Sequence, residues 1–186
     1  MGVLACDPVL ARLIDDHGPL TIEPADDLFA RLISSIVSQQ LSTASATAIH
    51  DRLTERFELT PAAMLSADTD RLLDCGLSGR KVEYIQNVAH AFDANEYSRS
   101  FFEEHSDAEV IDELTAITGV GVWTAKMMLI FGLGREDVFP IEDLGIRNAM
   151  DSLYDDPSRA EKREIAAQWR PKRSIAALHL WKHYEQ

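Results

Sequence analysis

Two glycines on either side of a single valine form the first segment of this sequence with the pattern of a binding site. Gly119, Val120 and Gly121 separate two stretches of helical periodicity. Glycine leaves no side chain in the way, and N–H groups before a helix can point at an anion where the helix dipole favours negative charge. The segment therefore predicts a phosphate cradle. A tight turn between two helices is the alternative for an isolated Gly-x-Gly, and the turn alone does not exclude it.

Asp143 is the candidate for acid chemistry. It follows Phe139 and Pro140, which would end an extended segment before another helix. A carboxylate at that point could stabilise developing positive charge and orient a water molecule. The same position suits the N-cap of a helix that begins near Leu144, and both roles are compatible because capping would hold the carboxylate fixed. Glu142 is the rival acid.

The elements that must position these residues have helical patterns almost throughout. Apolar residues recur at helical spacing after Asp26 and Asp27, either of which can serve as an N-cap. No alternating strand pattern of useful length occurs, so the predicted fold class is all-α. The predicted helices cover residues 28–37, 44–57, 81–92, 107–117, 122–131, 158–168 and 174–184, and Thr60-Pro61 and residues 66–70 are predicted to cap short helices.

The composition limits the functional class. The chain has 186 residues, 46% of them hydrophobic, which suffices for one domain or two small lobes. Cys6 and Cys75 are too few for a disulfide framework or a four-cysteine metal or iron–sulfur site, and the histidines show no metal-ligand spacing. Because no apolar run is long enough for a bilayer and no signal peptide is expected, the prediction is a cytoplasmic protein.

The net charge of −13 argues against a nucleic-acid partner when it is taken alone. The charge is unevenly spread, because residues 93–113 hold eight carboxylates against one arginine, whereas residues 159–182 hold seven basic residues against two acidic ones. Thirteen basic residues are arginine and five are lysine. This balance suits either a salt-adapted surface or an ordinary acidic protein.

Five segments carry a family resemblance. They are Ser35–Ser42 (SIVSQQLS), Gly76–Lys81 (GLSGRK) followed by Tyr84-Ile85, Leu114–Ala125 (LTAITGVGVWTA), Val138–Ile146 (VFPIEDLGI) and Trp169–Ser174 (WRPKRS) with Trp181. In this order they resemble the HhH-GPD superfamily of DNA glycosylases, and within it the 3-methyladenine DNA glycosylase II group. Thr118 stands where the family's hairpin commonly has proline.

The resemblance implies two helical lobes that flank a cleft. The central lobe would be residues 26–134, with a helix-hairpin-helix at residues 107–131. The second lobe would combine residues 1–25 with residues 135–186 and carry the catalytic aspartate.

The resemblance also implies site residues. The family's catalytic acid immediately precedes the Leu-Gly-Ile run, which assigns cleavage of an N-glycosidic bond to Asp143 rather than Glu142. The hairpin would bind the phosphate backbone of double-stranded DNA through Thr118, Gly119, Val120, Gly121 and Thr124.

Trp123 indicates the subtype. Bifunctional relatives carry a lysine two residues after the second glycine, and its amine forms a Schiff base with the sugar. Because Trp123 occupies this position, the resemblance implies a hydrolytic, monofunctional enzyme. Trp123 would stack on a flipped-out, positively charged alkylated purine, and simple packing is the alternative. Lys126 is interpreted as a weak phosphate contact or a solvated residue.

Gln40 matches the position from which superfamily members insert a side chain into the duplex. Leu41 is the alternative wedge, and helix capping is the alternative role of Gln39 and Gln40. Arg80, Lys81 and Arg173 are weaker candidates for phosphate contacts. For Arg80 and Lys81, the alternative is a solvated loop. For Arg173, and likewise for Arg170 and Lys172, the alternative is an ion pair with the acidic stretch, residues 93–113.

The predicted activity is therefore the excision of 3-methyladenine or 7-methylguanine in base excision repair, which leaves an abasic site. A glycosylase of the same fold for uracil, hypoxanthine or ethenoadducts is one alternative, and a non-catalytic module that senses DNA damage is another. No cofactor or metal site is expected, apart from a monovalent cation between hairpin carbonyls and a DNA phosphate. The protein is expected to act as a monomer.

Overall fold

A computed structural model describes residues 2–186 of the chain. Over these residues the chain forms twelve α-helices and no β-strand, which confirms the predicted all-α class. The helices are α1 Pro8–His17, α2 Leu28–Ser38, α3 Thr43–Arg56, α4 Pro61–Ser66, α5 Thr69–Leu73, α6 Gly79–Ala94, α7 Arg99–Glu103, α8 Asp107–Thr115, α9 Val122–Met127, α10 Leu144–Leu153, α11 Arg159–Ala167 and α12 Arg173–Tyr184. None of the helices in this part of the chain is long and apolar enough to cross a membrane.

Short polar side chains begin most of these helices. Asp27, the second of the two predicted caps, accepts a hydrogen bond from the Ala30 amide at 2.9 Å and starts α2. Ser106 and Ser158 start α8 and α11 with full capping boxes, in which the serine and a glutamate satisfy each other's backbone amides. The helix starts are therefore specified by local sequence.

Two helical segments differ from the sequence prediction. The helix expected over residues 107–117 ends at Thr115, and the helix expected over 122–131 is α-helical only to Met127 and continues as a π-helical turn, Met128–Gly132. Helix α1 was not predicted, although Asp7 followed by Pro8 is an N-cap signal of the kind used elsewhere in the chain.

The chain divides into two compact units. The first, here called the hairpin unit, is Ala25–Met128. Helix α2 is central to it and packs against α3, α6 and α9. Leu32, Ile33 and Ile36 on α2 are fully buried, as the apolar periodicity predicts.

The second unit, here called the aspartate unit, joins the residues up to Pro24 with Leu129–Gln186. Helix α12 packs against α1 and α10, and Trp169 is completely buried in this core. Asp7 connects the two ends of the chain. One of its carboxylate oxygens caps α1, and the other accepts hydrogen bonds from the Tyr154 hydroxyl and the Trp169 indole, each at 2.9 Å.

We expect Asp7→Ala to lower the free energy of unfolding by about 2–4 kcal/mol, because it removes a helix cap and leaves the hydroxyl of half-buried Tyr154 and the indole N–H of buried Trp169 without their acceptor. Asp68→Ala is the matched control, since the Asp68 side chain is exposed and caps only the Arg71 amide. We expect that control to cost about 0.5–1 kcal/mol. Urea denaturation measures both, and equal losses would contradict the connecting role of Asp7.

Candidate nucleic-acid interface and active site

Gly119 shapes the turn between α8 and α9. Its φ of +105° lies in a region that side chains rarely adopt, and a Cβ atom built on it would lie 2.2 Å from Cγ of Tyr84. The Val120 amide donates to the Ile117 carbonyl at 3.0 Å and closes the turn. Glycine is therefore required at position 119 both by the backbone conformation and by the tyrosine that packs against it.

Gly121, unlike Gly119, is surrounded by open space. It is the N-cap of α9, it is exposed, and a Cβ atom built on it would meet no atom within 4 Å. A glycine N-cap has no side chain with which to cap the first turn, and Thr118 beside it is also exposed. The start of α9 therefore has no side-chain cap at its positive end, and a helix end of this kind can accept a phosphate.

The wedge turn, defined as residues 39–42, joins α2 to α3. Gln40 in this turn is exposed and has a φ of +59°, which is uncommon outside glycine. Leu41 is 39% exposed. Both candidate wedge side chains therefore lie at the protein surface.

Thr124 and Lys81 have protein partners in place of the predicted DNA contacts. Thr124 is 2% exposed, and its hydroxyl accepts a hydrogen bond from the Gln39 amide at 3.0 Å. The Lys81 ammonium donates to the carbonyls of Val37 and Gln39 at 2.5 and 2.9 Å, and burial lowers the pKa of Lys81. Both side chains support the wedge turn, and their predicted contacts to DNA stay predictions.

The other residues of the hairpin unit that are predicted to contact DNA differ in exposure. Arg80 is exposed in the first turn of α6. Trp123 and Lys126 lie on α9 and are half-buried.

Asp143 is held at the start of α10. Its Oδ1 atom accepts a hydrogen bond from the Ile146 amide at 2.9 Å, which confirms the predicted N-cap. The indole of Trp181 on α12 donates to the same oxygen, also at 2.9 Å. A backbone amide and an aromatic N–H therefore fix the position of this carboxylate.

The surroundings of Asp143 leave little room for change. A Cβ atom on Gly145 would lie 3.2 Å from Asp143 Oδ1 and 3.1 Å from the ring of Tyr184. The ring of Phe131 lies 5.7 Å from that of Trp181. A side chain at position 145 would therefore crowd the carboxylate and Tyr184, and the Phe131 ring lies beside the donor, Trp181.

The basic residues near the C-terminus form ion pairs. The Arg173 guanidinium donates to both carboxylate oxygens of Asp137, at 2.7 and 3.1 Å, and Arg170 approaches Asp137 at 3.2 Å. Lys172 pairs with Glu136. Burial alone would raise the pKa of Asp137, but the hydrogen bond and the charge of Arg173 hold it below its usual value. The arginine predicted as a phosphate contact therefore anchors the segment that leads to Asp143, and its partner lies outside the acidic stretch 93–113.

The histidines do not suggest a metal site. His179 is fully buried and its ring stacks on His17, with the two Nδ1 atoms 3.3 Å apart. Burial, and then the charges of His17 and Lys182, lower the pKa of His179 to about 4. In residues 2–186, no group of three or more His, Cys, Asp or Glu side chains is arranged to hold a metal ion.

The hairpin and the capped aspartate both lie within the range that one family model matches. The HhH-GPD superfamily, whose members are described as base excision DNA repair proteins, matches residues 33–172. This chain belongs to the HhH-GPD superfamily. The matched range includes the wedge turn, the hairpin and Asp143.

Relatives of this HhH-GPD protein carry specific names. DNA-3-methyladenine glycosylase 1 of Schizosaccharomyces pombe is 34% identical over 185 residues, covering 93% of this chain and 79% of the relative. The DNA-3-methyladenine glycosylase of Saccharomyces cerevisiae is 36% identical over 155 residues, covering 77% of this chain and 51% of the relative. The structure of the S. pombe 3-methyladenine DNA glycosylase in complex with abasic DNA superposes with a TM-score of 0.90 at 30% identity, over 99% of this chain and 95% of that chain.

Trp181 and Gln39 of this HhH-GPD protein make site contacts that the sequence does not predict. Trp181 lies in a segment that carried the resemblance, but nothing in its spacing indicated a hydrogen bond to Asp143. Gln39 was interpreted only as a capping residue, whereas its amide also donates to the Gly119 carbonyl at 3.1 Å. Both contacts join residues that are distant in sequence, so local patterns could not reveal them.

The two hairpin glycines provide a matched pair of substitutions. We expect Gly119→Ala to lower the free energy of unfolding by about 2–4 kcal/mol, because it combines an unfavourable φ with a clash against the Tyr84 ring. Gly121→Ala meets open space at an ordinary φ of −94°, so we expect a change within about 0.5 kcal/mol. Thermal and urea denaturation compare the variants, and a similar loss in both would contradict the structure of this turn.

Proposed function

We propose that this protein is a monofunctional DNA glycosylase that hydrolyses the N-glycosidic bond of alkylated purines such as 3-methyladenine and 7-methylguanine and leaves an abasic site. The observation that carries the proposal is the position of Asp143, whose Oδ1 atom is fixed by the Ile146 amide and the Trp181 indole. The names of the S. pombe and S. cerevisiae relatives, and the abasic DNA in the S. pombe complex, support this substrate class.

The hairpin is proposed to anchor duplex DNA through its backbone. No side chain caps the amides at the start of α9, whose N-cap is Gly121, and the dipole of the helix adds partial positive charge at that end. Such a contact recognises phosphate without reading base sequence. It also suits a protein with a net charge of −13, because local backbone dipoles rather than the overall charge would bind the phosphate.

Base flipping is proposed to depend on the wedge turn and on Trp123. Gln40 or Leu41, both at the surface, would fill the space that an extruded nucleotide leaves in the duplex. The half-buried indole of Trp123 would stack on the extruded base. A purine alkylated at N3 or N7 is positively charged, and an electron-rich aromatic face binds such a base favourably.

The proposed chemistry requires one carboxylate. Departure of the base leaves positive charge on the deoxyribose, and the negative charge of Asp143 would stabilise it and orient the attacking water. An alkylated purine is already a good leaving group, so little proton transfer to the base is needed. No amine stands at position 123, where a Schiff base would otherwise form with the sugar, so hydrolysis without strand cleavage is the expected outcome.

The proposal also covers cofactors and the remaining phosphate contact. The chemistry needs no cofactor. A monovalent cation at the hairpin stays a prediction, and the carbonyls of Thr118 and Gly119 already accept hydrogen bonds from Asn87 and Gln39, so a cation would use their second lone pairs. Arg80, exposed in the first turn of α6, remains a proposed phosphate contact. Monomeric action and a cytoplasmic location also stay predictions.

The role of Asp143 is tested by single-turnover excision from methylated duplex DNA, with the released bases separated by chromatography. Asp143→Asn keeps an Oδ1 acceptor for Ile146 and Trp181 but removes the charge, so we expect a folded protein whose excision rate falls about a hundred- to a thousandfold. Trp181→Phe removes only the indole donor, and we expect about a tenfold loss.

Glu142→Gln is the matched control, because it removes the rival carboxylate one residue away. We expect its excision rate to stay within a few-fold of the wild type. If Asp143→Asn kept the wild-type rate, the proposed mechanism would be wrong. Release of uracil or hypoxanthine, but of no methylated purine, would favour the alternative specificities, and absence of any base release would favour a damage-binding module.

A further inference from the structure

Lys81 closes the C-terminal end of α2. Its ammonium lies 2.5 Å from the Val37 carbonyl and 2.9 Å from the Gln39 carbonyl. The last carbonyls of a helix have no partner within the helix, and a cation at this end is favoured by the helix dipole. Lys81 lies on α6, so this contact fixes the end of α2 to a different helix of the hairpin unit.

Gln39 continues the connection from α2 to the hairpin. Its side-chain amide donates to the Gly119 carbonyl at 3.1 Å and to the Thr124 hydroxyl at 3.0 Å. Gly119 belongs to the turn and Thr124 to the first turn of α9, where it is 2% exposed. One side chain therefore holds both parts of the proposed phosphate cradle.

Gln40 comes next in the chain and has a φ of +59°. A non-glycine residue in this conformation costs on the order of 1 kcal/mol, so it persists where neighbouring contacts determine the backbone. The contacts that determine it here include the Lys81 bond to the preceding carbonyl and a bond from the Leu41 amide to the Ser38 carbonyl at 3.2 Å. The backbone of the proposed wedge residue is thus held directly beside Gln39, the residue whose side chain links the turn to the hairpin.

We propose that Gln39 and Lys81 are positioning residues that couple the wedge turn to the hairpin, so that binding of a phosphate at the hairpin determines where Gln40 enters the duplex. This inference rests on the proposed function. It assigns roles to two residues that need not touch DNA. Lys81 holds the backbone of the wedge turn, and the Gln39 amide transmits its position to the turn at Gly119 and to α9.

The test uses binding rather than catalysis. The probe is a duplex with a stable abasic-site analogue and 2-aminopurine in the opposite strand, whose fluorescence reports insertion of a side chain into the stack. Gln40→Ala should lower both the affinity and the fluorescence change. We expect Gln39→Ala to lower the affinity about five- to tenfold, and we expect Lys81→Met to reduce the fluorescence change while the protein remains folded by thermal unfolding.

The deciding measurement is a double-mutant cycle. If Gln39 acts by positioning Gln40, Gln40→Ala should have much less effect in the Gln39→Ala background than in the wild type. Asn87→Ala is the matched control, because the Asn87 amide also donates to a hairpin carbonyl, that of Thr118, at 3.3 Å, but no hydrogen bond joins it to the wedge turn. Its effect should add to that of Gln40→Ala.

Failure of the coupling and failure of the proposed function give different results. Additive effects of Gln39→Ala and Gln40→Ala would overturn the coupling. The same cycle with Lys81→Met and Gln40→Ala decides the matter if Gln39→Ala does not fold. A wild-type protein that binds the abasic duplex no more tightly than an intact one would instead overturn the proposed function.

Discussion

The proposed activity depends on one restrained carboxylate. Asp143 Oδ1 accepts hydrogen bonds from the Ile146 amide and from the Trp181 indole, so a helix start and a side chain from another helix determine where the negative charge lies. The segment before it is fixed in turn by the Arg173–Asp137 ion pair. Electrostatic stabilisation of a transition state requires charge that is already in position before the reaction.

The acidic composition is compatible with DNA as a partner only if the contact is local. The basic C-terminal stretch, which could have offset the charge of −13, is largely used within the protein, since Arg159, Lys162, Arg170, Lys172 and Arg173 each lie within ion-pair distance of a carboxylate. The hairpin offers instead a helix start with a glycine cap and open space around it. Backbone amides in that arrangement attract phosphate whatever the net charge of the chain.

Local signals in the sequence were sufficient for the fold class, for most helix starts and for the N-cap at Asp143. Helix periodicity and capping residues act over a few positions, so α2 and α8 could be predicted from their own residues. The partners of Gln39, Lys81 and Trp181 could not, because each contact joins segments that only the folded chain brings together. For the same reason the sequence does not predict the bonds of Arg173 to Asp137 and of Thr124 to Gln39. A basic or hydroxyl side chain in a binding motif has no sequence signal that shows whether it faces outward or supports the motif from within.

The most direct test of the account is to incubate the wild-type protein with duplex DNA that contains methylated purines, and to measure base release, strand breaks and borohydride-trapped adducts in the same reaction. We expect that methylated purine is released, that the strand stays intact until alkali cleaves the abasic site, and that no covalent adduct is trapped. A trapped adduct with strand breaks would contradict the hydrolytic mechanism. Absence of base release from methylated DNA would contradict the proposed activity.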